Sequence, residues 1–303
     1  MAMYRIFLRT LIFASVSLKE AQGLSGNVCP EPATETRLNP KWRMKVPLFS
    51  QEPPVLDRRH VLQTWGAAAG LVASIVLPGN AASALSPEEA SAAYDSYAST
   101  YDDLDGGPAS SALGIDEARA DLFRKARGRV LEIGVGTGLN LAKYDLSKVT
   151  SLTLVDISEG MIQAAKDRIA TMEVGIPIDF IRADATSQLV ERFGEGSFDS
   201  AVDSFSLCVM GNEGAKNCIV QLSKVLKPTG HLYLLENSRS SNAALGWYQD
   251  LTASTSAFVG GKGCVYNQKI EEIILQTKGL NIENEQLYAA GLLRSYECSK
   301  RVM

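Results

Sequence analysis

"VLEIGVGTGLN", residues 130–140, decides how the chain is read. Val130, Leu131 and Ile133 flank an acid, Glu132, and glycines follow at 134, 136 and 138. A strand that runs into a glycine-rich turn and then a helix is a nucleotide-binding arrangement, because a backbone without Cβ atoms lets a ligand approach closely. The dinucleotide form of that turn needs G-x-G-x-x-G. Here the third glycine is Gly138 and Leu139 stands where the fingerprint wants glycine. The acid carries more weight. A pyrophosphate is repelled by a carboxylate beside it, whereas a ligand with a cationic end is attracted.

Working outward, strand and helix signals alternate. Strands are expected at 129–133, 152–156, 178–182, 198–204 and 230–236. Helices are expected at 116–127, 138–144, 158–173, 187–193 and 213–226, with glycine and proline between them. Alternation at this spacing means a parallel sheet covered on both faces. Before it, "SPEEASAAYDSYASTYDDL" opens with a helix start: Ser86 as cap, Pro87 at the first helical position, acids in the first turn. After it, a helix near 267–278 and strands near 280–288 and 291–298 complete the chain.

S-adenosylmethionine suits such a turn, being a nucleoside without phosphate that carries a sulfonium and an ammonium. The other acids fall at strand ends. Asp156 closes "LTLVDIS", where a carboxylate can take both ribose hydroxyls in charge-assisted hydrogen bonds. Ser158 can cap the next helix and Met161 can cover the adenine. Asp184, in "IRADAT", is placed to meet the adenine amino group. "FDSAVDSFSLC" brings Asp199 and Asp203 toward the pocket mouth, though Asp199 reads better as a solvated loop residue or helix cap.

With these residues in hand, 90 to about 298 resembles the class I S-adenosylmethionine-dependent methyltransferases of the methyltransferase type 11 kind. "VLEIGVGTG", "LVDIS", "ADA", "FDSAVDSFSLC" and "LKPTGHLYLLE" are similar to the family's successive motifs. The resemblance implies a Rossmann-like α/β fold: a seven-stranded sheet, mostly parallel with one antiparallel strand, and helices on both faces. It implies that Glu132, Gly134, Gly136 and Gly138, with Thr137, surround the amino-acid part of the cofactor. Asp156 and Ile157 would hold the ribose, Asp184 and Ala185 the adenine beside Met161, with Ser204 at the fourth strand's end. "YDSYASTYDD" resembles the N-terminal tyrosine motif, whose Tyr94 and Tyr101 would close over the cofactor; Tyr97 has an equal reading in helix packing. "SLCVMGN", "VLKPTGHLYLLE" and "GCVYNQKI" resemble a membrane-associated methyltransferase-like branch, some of whose members methylate small thiols. "KPTG" departs from that branch's usual "KPGG".

Methyl transfer from a sulfonium is an in-line displacement that needs alignment and exclusion of water, with no obligatory covalent residue. Asp203, Cys208, Glu236 and Asn237 are the polar candidates nearest the pocket, each also readable as a structural residue. His231 reads as a packing or solvent-facing residue. Trp247, Tyr248, Phe258 and Tyr266, in the glycine-rich stretch 238–266, either line an apolar acceptor pocket or pack that stretch onto the sheet. A small apolar or amphipathic acceptor (a thiol, phenol or quinol) follows. The competing readings are a Rossmann dehydrogenase, which would not want Glu132, and a non-catalytic cofactor-binding or assembly protein of an organelle membrane.

Composition narrows the classes further. The 303 residues are 46% hydrophobic and 21% charged with net charge −4, enough for a real core and without the basic bias of a nucleic-acid surface. Two histidines leave no material for a histidine-rich metal site or a Ser-His-Asp triad, and five cysteines show no zinc spacing and read as mostly buried thiols. Residues 1–84 read apart from the 85–303 domain. A basic and apolar start resembles a targeting peptide, 24–57 lacks periodicity, and Arg58-Arg59 precede an apolar stretch at 65–77 that ends in Ala82-Ser83-Ala84. That stretch is shorter than the roughly 20 residues a membrane-spanning helix needs. It resembles a twin-arginine signal behind a presequence, as in thylakoid proteins; the alternative is an uncleaved anchor in a mitochondrial or other organelle membrane.

Overall fold

A computed structural model describes residues 85–102, 114–259 and 263–301. The targeting features expected in 1–84 lie outside the described residues. Seven strands form one sheet: β1 (Gly128–Ile133), β2 (Val149–Asp156), β3 (Ile178–Arg182), β4 (Phe198–Ser204), β5 (Leu226–Asn237), β6 (Leu280–Tyr288) and β7 (Leu293–Lys300). Their order is β3-β2-β1-β4-β5-β7-β6. β1 to β5 pair in parallel, and β7 is antiparallel to both its neighbours. The expected sheet, mostly parallel with one antiparallel strand, is the observed one.

The helices are α1 (Pro87–Tyr97), α2 (Ile115–Phe123), α3 (Glu159–Ile169), α4 (Leu189–Phe193), α5 (Leu207–Val225), α6 (Ala243–Val259) and α7 (Ile270–Gln276). They cover both faces because the strand residues alternate. Leu131 and Ile133 of β1 join Ile219 and Leu222 of α5 and Ile274 of α7 in one core. Val130 joins Leu122 and Phe123 of α2 and Ala165 of α3 in the other. Glu132 is on the same side of the strand as Val130 and is fully buried. Each such apolar side chain contributes about 1.5–3 kcal/mol by leaving water.

The register gathers the strand ends that matter. Ile133 pairs with Val155 on one side and Asp203 on the other, and Ser204 pairs with Leu235. Strand order reverses at β1, so the carboxyl ends of β1, β2 and β4 frame a crevice where open α/β sheets bind ligands. Among the described residues no helix is long and apolar enough to cross a membrane.

Four local expectations are corrected. Residues 138–144 form only a short 3-10 turn, Leu141–Lys143, because Gly138 has φ +81 and directs the chain away from an α-helix. α5 starts at Leu207 rather than 213, and its first turn is separated by Gly211 at φ +67. β5 starts at Leu226, before the turn-like "KPTG", and a register shift between Phe198 and Ser200 accommodates it. Residues 243–259, where the sequence pattern places no element, form a helix.

Candidate functional site

The glycine turn is built from residues that must be glycine. Gly134, Gly136 and Gly138 have φ of +58, +55 and +81. A Cβ on Gly134 would lie 2.4 Å from Ser206 Cβ, and one on Gly138 would lie 2.7 Å from Leu141 Cδ1. A Cβ on Gly136 would meet only the Gly134 carbonyl, at 4.0 Å, so Gly136 presents bare backbone to open space. Opposite it, Asp156 accepts the Gly136 N–H at 2.8 Å and the Ser158 N–H at 2.9 Å. Burial holds the Asp156 carboxyl above the usual range against the opposing pull of those amides.

Glu132 is beneath the turn. Its carboxylate accepts the Asn140 amide at 2.9 Å and the Tyr144 hydroxyl at 2.7 Å. Asn140 also donates to Ser204 Oγ at 3.0 Å, tying the turn to β4. Burial pushes the Glu132 carboxyl up to about 7, with Asp203 nearby adding to the rise and the two donors opposing it. The acid that made the sequence reading is therefore enclosed, and the carboxylates that reach the cavity are those of Asp156 and Asp184.

The N-terminal segment is clamped over this turn at two points, one on α1 and one just after it. Asp95 accepts the Ser158 hydroxyl at 2.6 Å and the Gly160 N–H at 2.9 Å, so α1 caps the start of α3. Ser158 Oγ itself accepts the Met161 N–H at 3.0 Å, as expected of a cap. Asp102 accepts the Thr137 hydroxyl at 2.5 Å and pairs with Arg168, whose Nε donates to the Thr137 carbonyl at 2.8 Å. Between the clamps the Tyr94 ring meets Tyr97 edge-on at 6.1 Å and lies 6.3 Å from Tyr101.

One cavity gathers most of the expected residues. Tyr94 and Tyr101 of the N-terminal segment, Gly134 and Gly136, Asp156, Ile157 and Met161 line it. Asp184, Ala185 and Ser204 line it from the ends of β3 and β4. Glu132, Thr137 and Gly138 do not; they shape the turn from behind. Asp184 is partly committed to its own turn, accepting the Thr186 N–H and hydroxyl at 2.8 Å each and the Ser187 hydroxyl at 2.9 Å. Thr186 and Ser206 add two hydroxyls, and most of the remaining wall is apolar, with Leu85, Ala90, Phe205, Val209 and Met210 on it. No lysine or arginine is among the lining residues, while two aspartates are. A doubly negative pyrophosphate finds no counter-charge here, and a cationic nucleoside does.

Other expected residues lie elsewhere. Asp199 is at the opposite end of β4, paired with Lys227 at 2.7 Å and the Arg129 N–H at 2.9 Å, because the strand carries it away from the crevice. His231 stacks on Tyr233 outside the cavity. Trp247 and Tyr248 are exposed and do not line the cavity. α6 turns Gln249 inward instead, where its side chain bonds Ser240, Ser238 and Tyr266 backbone groups at 2.7–3.0 Å. The Phe258 side chain lies outside the described residues. Asp95, Asp102, Arg168 and Ser206 went unread. The two aspartates had a signal, since each follows a tyrosine at a seven-residue spacing in "YDSYASTYDD", which sets both on one helical face.

Residues 130–230 match the family model described as a methyltransferase domain. The mitochondrial methyltransferase OMS1 of Saccharomyces cerevisiae is 26% identical over 53% of this chain and 36% of its own length. The ubiquinone/menaquinone biosynthesis C-methyltransferase UbiE of Pseudomonas fluorescens is 30% identical over 40% of this chain and 46% of its own. The chain thus spans less than half the length of either relative. The N-methyltransferase NodS from Bradyrhizobium japonicum, solved with S-adenosyl-L-homocysteine, superposes with a TM-score of 0.51 at 18% identity, over 70% of this chain and 98% of NodS.

Proposed function

We propose that this chain, a class I S-adenosylmethionine-dependent methyltransferase by its fold and central domain, methylates a small apolar or amphipathic acceptor at a thiol, phenol or quinol group. The observation that carries the proposal is the cavity wall: bare glycine backbone and Asp156 at one end, apolar side chains at the other, and no cationic side chain on it. S-adenosylmethionine fits that distribution and supplies the activated methyl group when bound. In this reading Asp156 accepts the ribose hydroxyls with the lone pairs its two amides leave free. Asp184, Ala185 and Met161 meet the adenine, and Ile157 and Ser204 line the route between the two ends. Gly134 and Gly136 admit the amino-acid part. Glu132, Thr137 and Gly138 act at one remove by fixing the turn.

The protein's share of the chemistry is alignment and exclusion of water. Asp95 holds α1 and Asp102 holds the residues just after it, so that Tyr94 and Tyr101 cover the site. The acceptor lies against Leu85, Ala90, Val209 and Met210, where an apolar ring or chain is favoured and a phosphate or polyanion is not. The quinone-biosynthesis assignment of the UbiE relative supports a quinol-like acceptor, and the mitochondrial location of OMS1 supports a mitochondrial setting over the thylakoid one. Membrane association in this proposal rests on the apolar stretch 65–77. The test incubates the full chain with methyl-labelled S-adenosylmethionine and a panel of small thiols, phenols and quinols. Label in an extracted acceptor supports the proposal; tight S-adenosyl-ligand binding with no transfer to any of the three classes identifies a binding protein instead.

A further inference from the structure

Next to the cavity, but off its wall, two carboxyl groups are fully buried against each other. Asp203 is near the carboxyl end of β4 and Glu236 ends the buried run of β5, and both have no exposed surface. Glu236 Oε1 accepts the Leu207 N–H at 2.8 Å, and Asp203 Oδ1 accepts the Ser206 hydroxyl. Asp203 Oδ2 and Glu236 Oε2 are buried with no donor among the described residues, so a proton held between these two neighbouring carboxyls would satisfy both. A buried pair of this kind holds one charge rather than two.

The third member reaches the cavity. Ser206 is on its wall, packed against Gly134 so tightly that no Cβ fits between them. Phe205, just before it, has φ +60, a conformation uncommon for a non-glycine residue and held by its N–H to the Leu235 carbonyl at 2.9 Å. That local strain turns the chain at the end of β4 and sets Ser206 between the glycine turn and Asp203.

We infer that Ser206, Asp203 and Glu236 form a proton-transfer chain for the methyl acceptor, Ser206 touching the acceptor and Asp203 receiving the proton through it. The inference rests on the methyl-transfer reading above. As the bond from the acceptor atom to the methyl carbon forms and the bond from that carbon to sulfur breaks, the acceptor's X–H proton passes to Ser206 Oγ. The Ser206 hydroxyl proton passes to Asp203 Oδ1. Glu236 keeps its own proton and donates it toward Asp203 Oδ2. Product release lets Asp203 return its proton to water, and no oxidant or metal enters the balance. Burial holds both carboxyls above their usual range, Glu236 further because Asp203 is beside it. Glu132 on β1, Glu236 on β5 and Cys218 on α5 are the titratable groups facing Asp203.

The test uses acceptors of graded acidity with the full chain at about pH 8. 4-Nitrothiophenol and 4-nitrophenol are largely ionised there; benzyl mercaptan and phenol are not. Ser206→Ala and Asp203→Asn should each slow transfer to the weak acids by about 100-fold, within the usual range for proton-transfer catalysis, and leave transfer to the ionised acceptors within about 3-fold. The pH–rate profile with the weak acids should lose its acid limb in Asp203→Asn. A second readout needs no turnover: carboxyl carbon-13 NMR of the free wild-type chain should show, besides Glu132 and Asp156, a coupled Asp/Glu pair titrating above the usual range, and that pair should be lost in Asp203→Asn. Equal slowing with every acceptor, or no slowing with any, overturns the relay alone. A wild-type chain that transfers to none of the four overturns the relay together with the functional reading. Ser206→Ala removes one cavity-wall oxygen and carries the test should Asp203→Asn fail to fold.

Discussion

Replacing Glu132 by Gln should change how stability depends on pH by an amount the structure sets. The folded carboxyl titrates at about 7 against an ordinary 4.5. Between those values the unfolded chain has released the proton and the folded chain still holds it. Stability from this residue is therefore full below the unfolded value and is lost as pH rises through about 7. At about 1.36 kcal/mol for each pH unit between the two values, the loss between pH 5 and pH 8 is about 2.5 kcal/mol. Gln cannot ionise, keeps an acceptor for Asn140 or Tyr144, and fills the same space. Urea denaturation of wild type and Glu132→Gln at both pH values isolates the effect, because most other titrating groups cancel in the difference. The variant should be less stable than wild type at pH 5, by about 1 kcal/mol for one imperfect hydrogen bond, and should overtake it at pH 8. A stability difference that is flat between the two pH values would refute the buried, proton-holding Glu132.

Other variants separate fold from ligand. Gly134→Ala drives a Cβ into Ser206 and should cost stability and binding together, whereas Gly136→Ala projects into open space and should lose S-adenosylhomocysteine affinity with a smaller drop in melting temperature. The assay is calorimetric titration beside a melting curve, and identical behaviour of the two variants would contradict the turn geometry. Asp156→Asn should weaken the same ligand by about 1.5–3 kcal/mol, the worth of a hydrogen bond to a charged group; unchanged affinity removes the ribose assignment. Asp102→Ala breaks a half-exposed pair and should cost under about 1 kcal/mol in urea, yet lower ligand affinity by loosening the segment that carries Tyr101; equal affinity would show the clamp to be incidental. Arg58→Lys with Arg59→Lys keeps the charge and should stop any twin-arginine-dependent transport, with N-terminal sequencing of the mature chain distinguishing cleavage near Leu85 from a retained anchor.

The parts of the fold that were legible are those where local chemistry and tertiary position agree. Apolar runs ending in Glu132–Gly138, Asp156, Asp184 and Ser204 have no other stable arrangement than adjacent parallel strands with their carboxyl ends together. Legibility fails where a distant group intervenes. Asn140 and Tyr144 are four residues apart, a helical spacing, yet both are tied to the buried Glu132 carboxyl and the segment forms one short 3-10 turn. Gly211 reads as the break before a helix, but its positive φ joins two helical pieces. Lys227-Pro228-Thr229-Gly230 reads as a turn, and β5 continues through it because a register shift frees the proline from the ladder. The aromatic pair Trp247-Tyr248 reads as a pocket wall or as packing onto the sheet, but the buried partners of Gln249 fix the helix rotation and leave both rings exposed. The Asp203–Glu236 contact joins residues far apart in sequence, and nothing near either one announces it.

The most direct measurement is calorimetric titration of the full chain with S-adenosylhomocysteine and, separately, with NAD. A cavity walled by glycine backbone, Asp156 and Asp184, without a lysine or arginine on its lining, should bind S-adenosylhomocysteine and give no heat with NAD. Binding of NAD without S-adenosylhomocysteine would contradict the ligand chemistry from which the proposed methyl transfer is drawn.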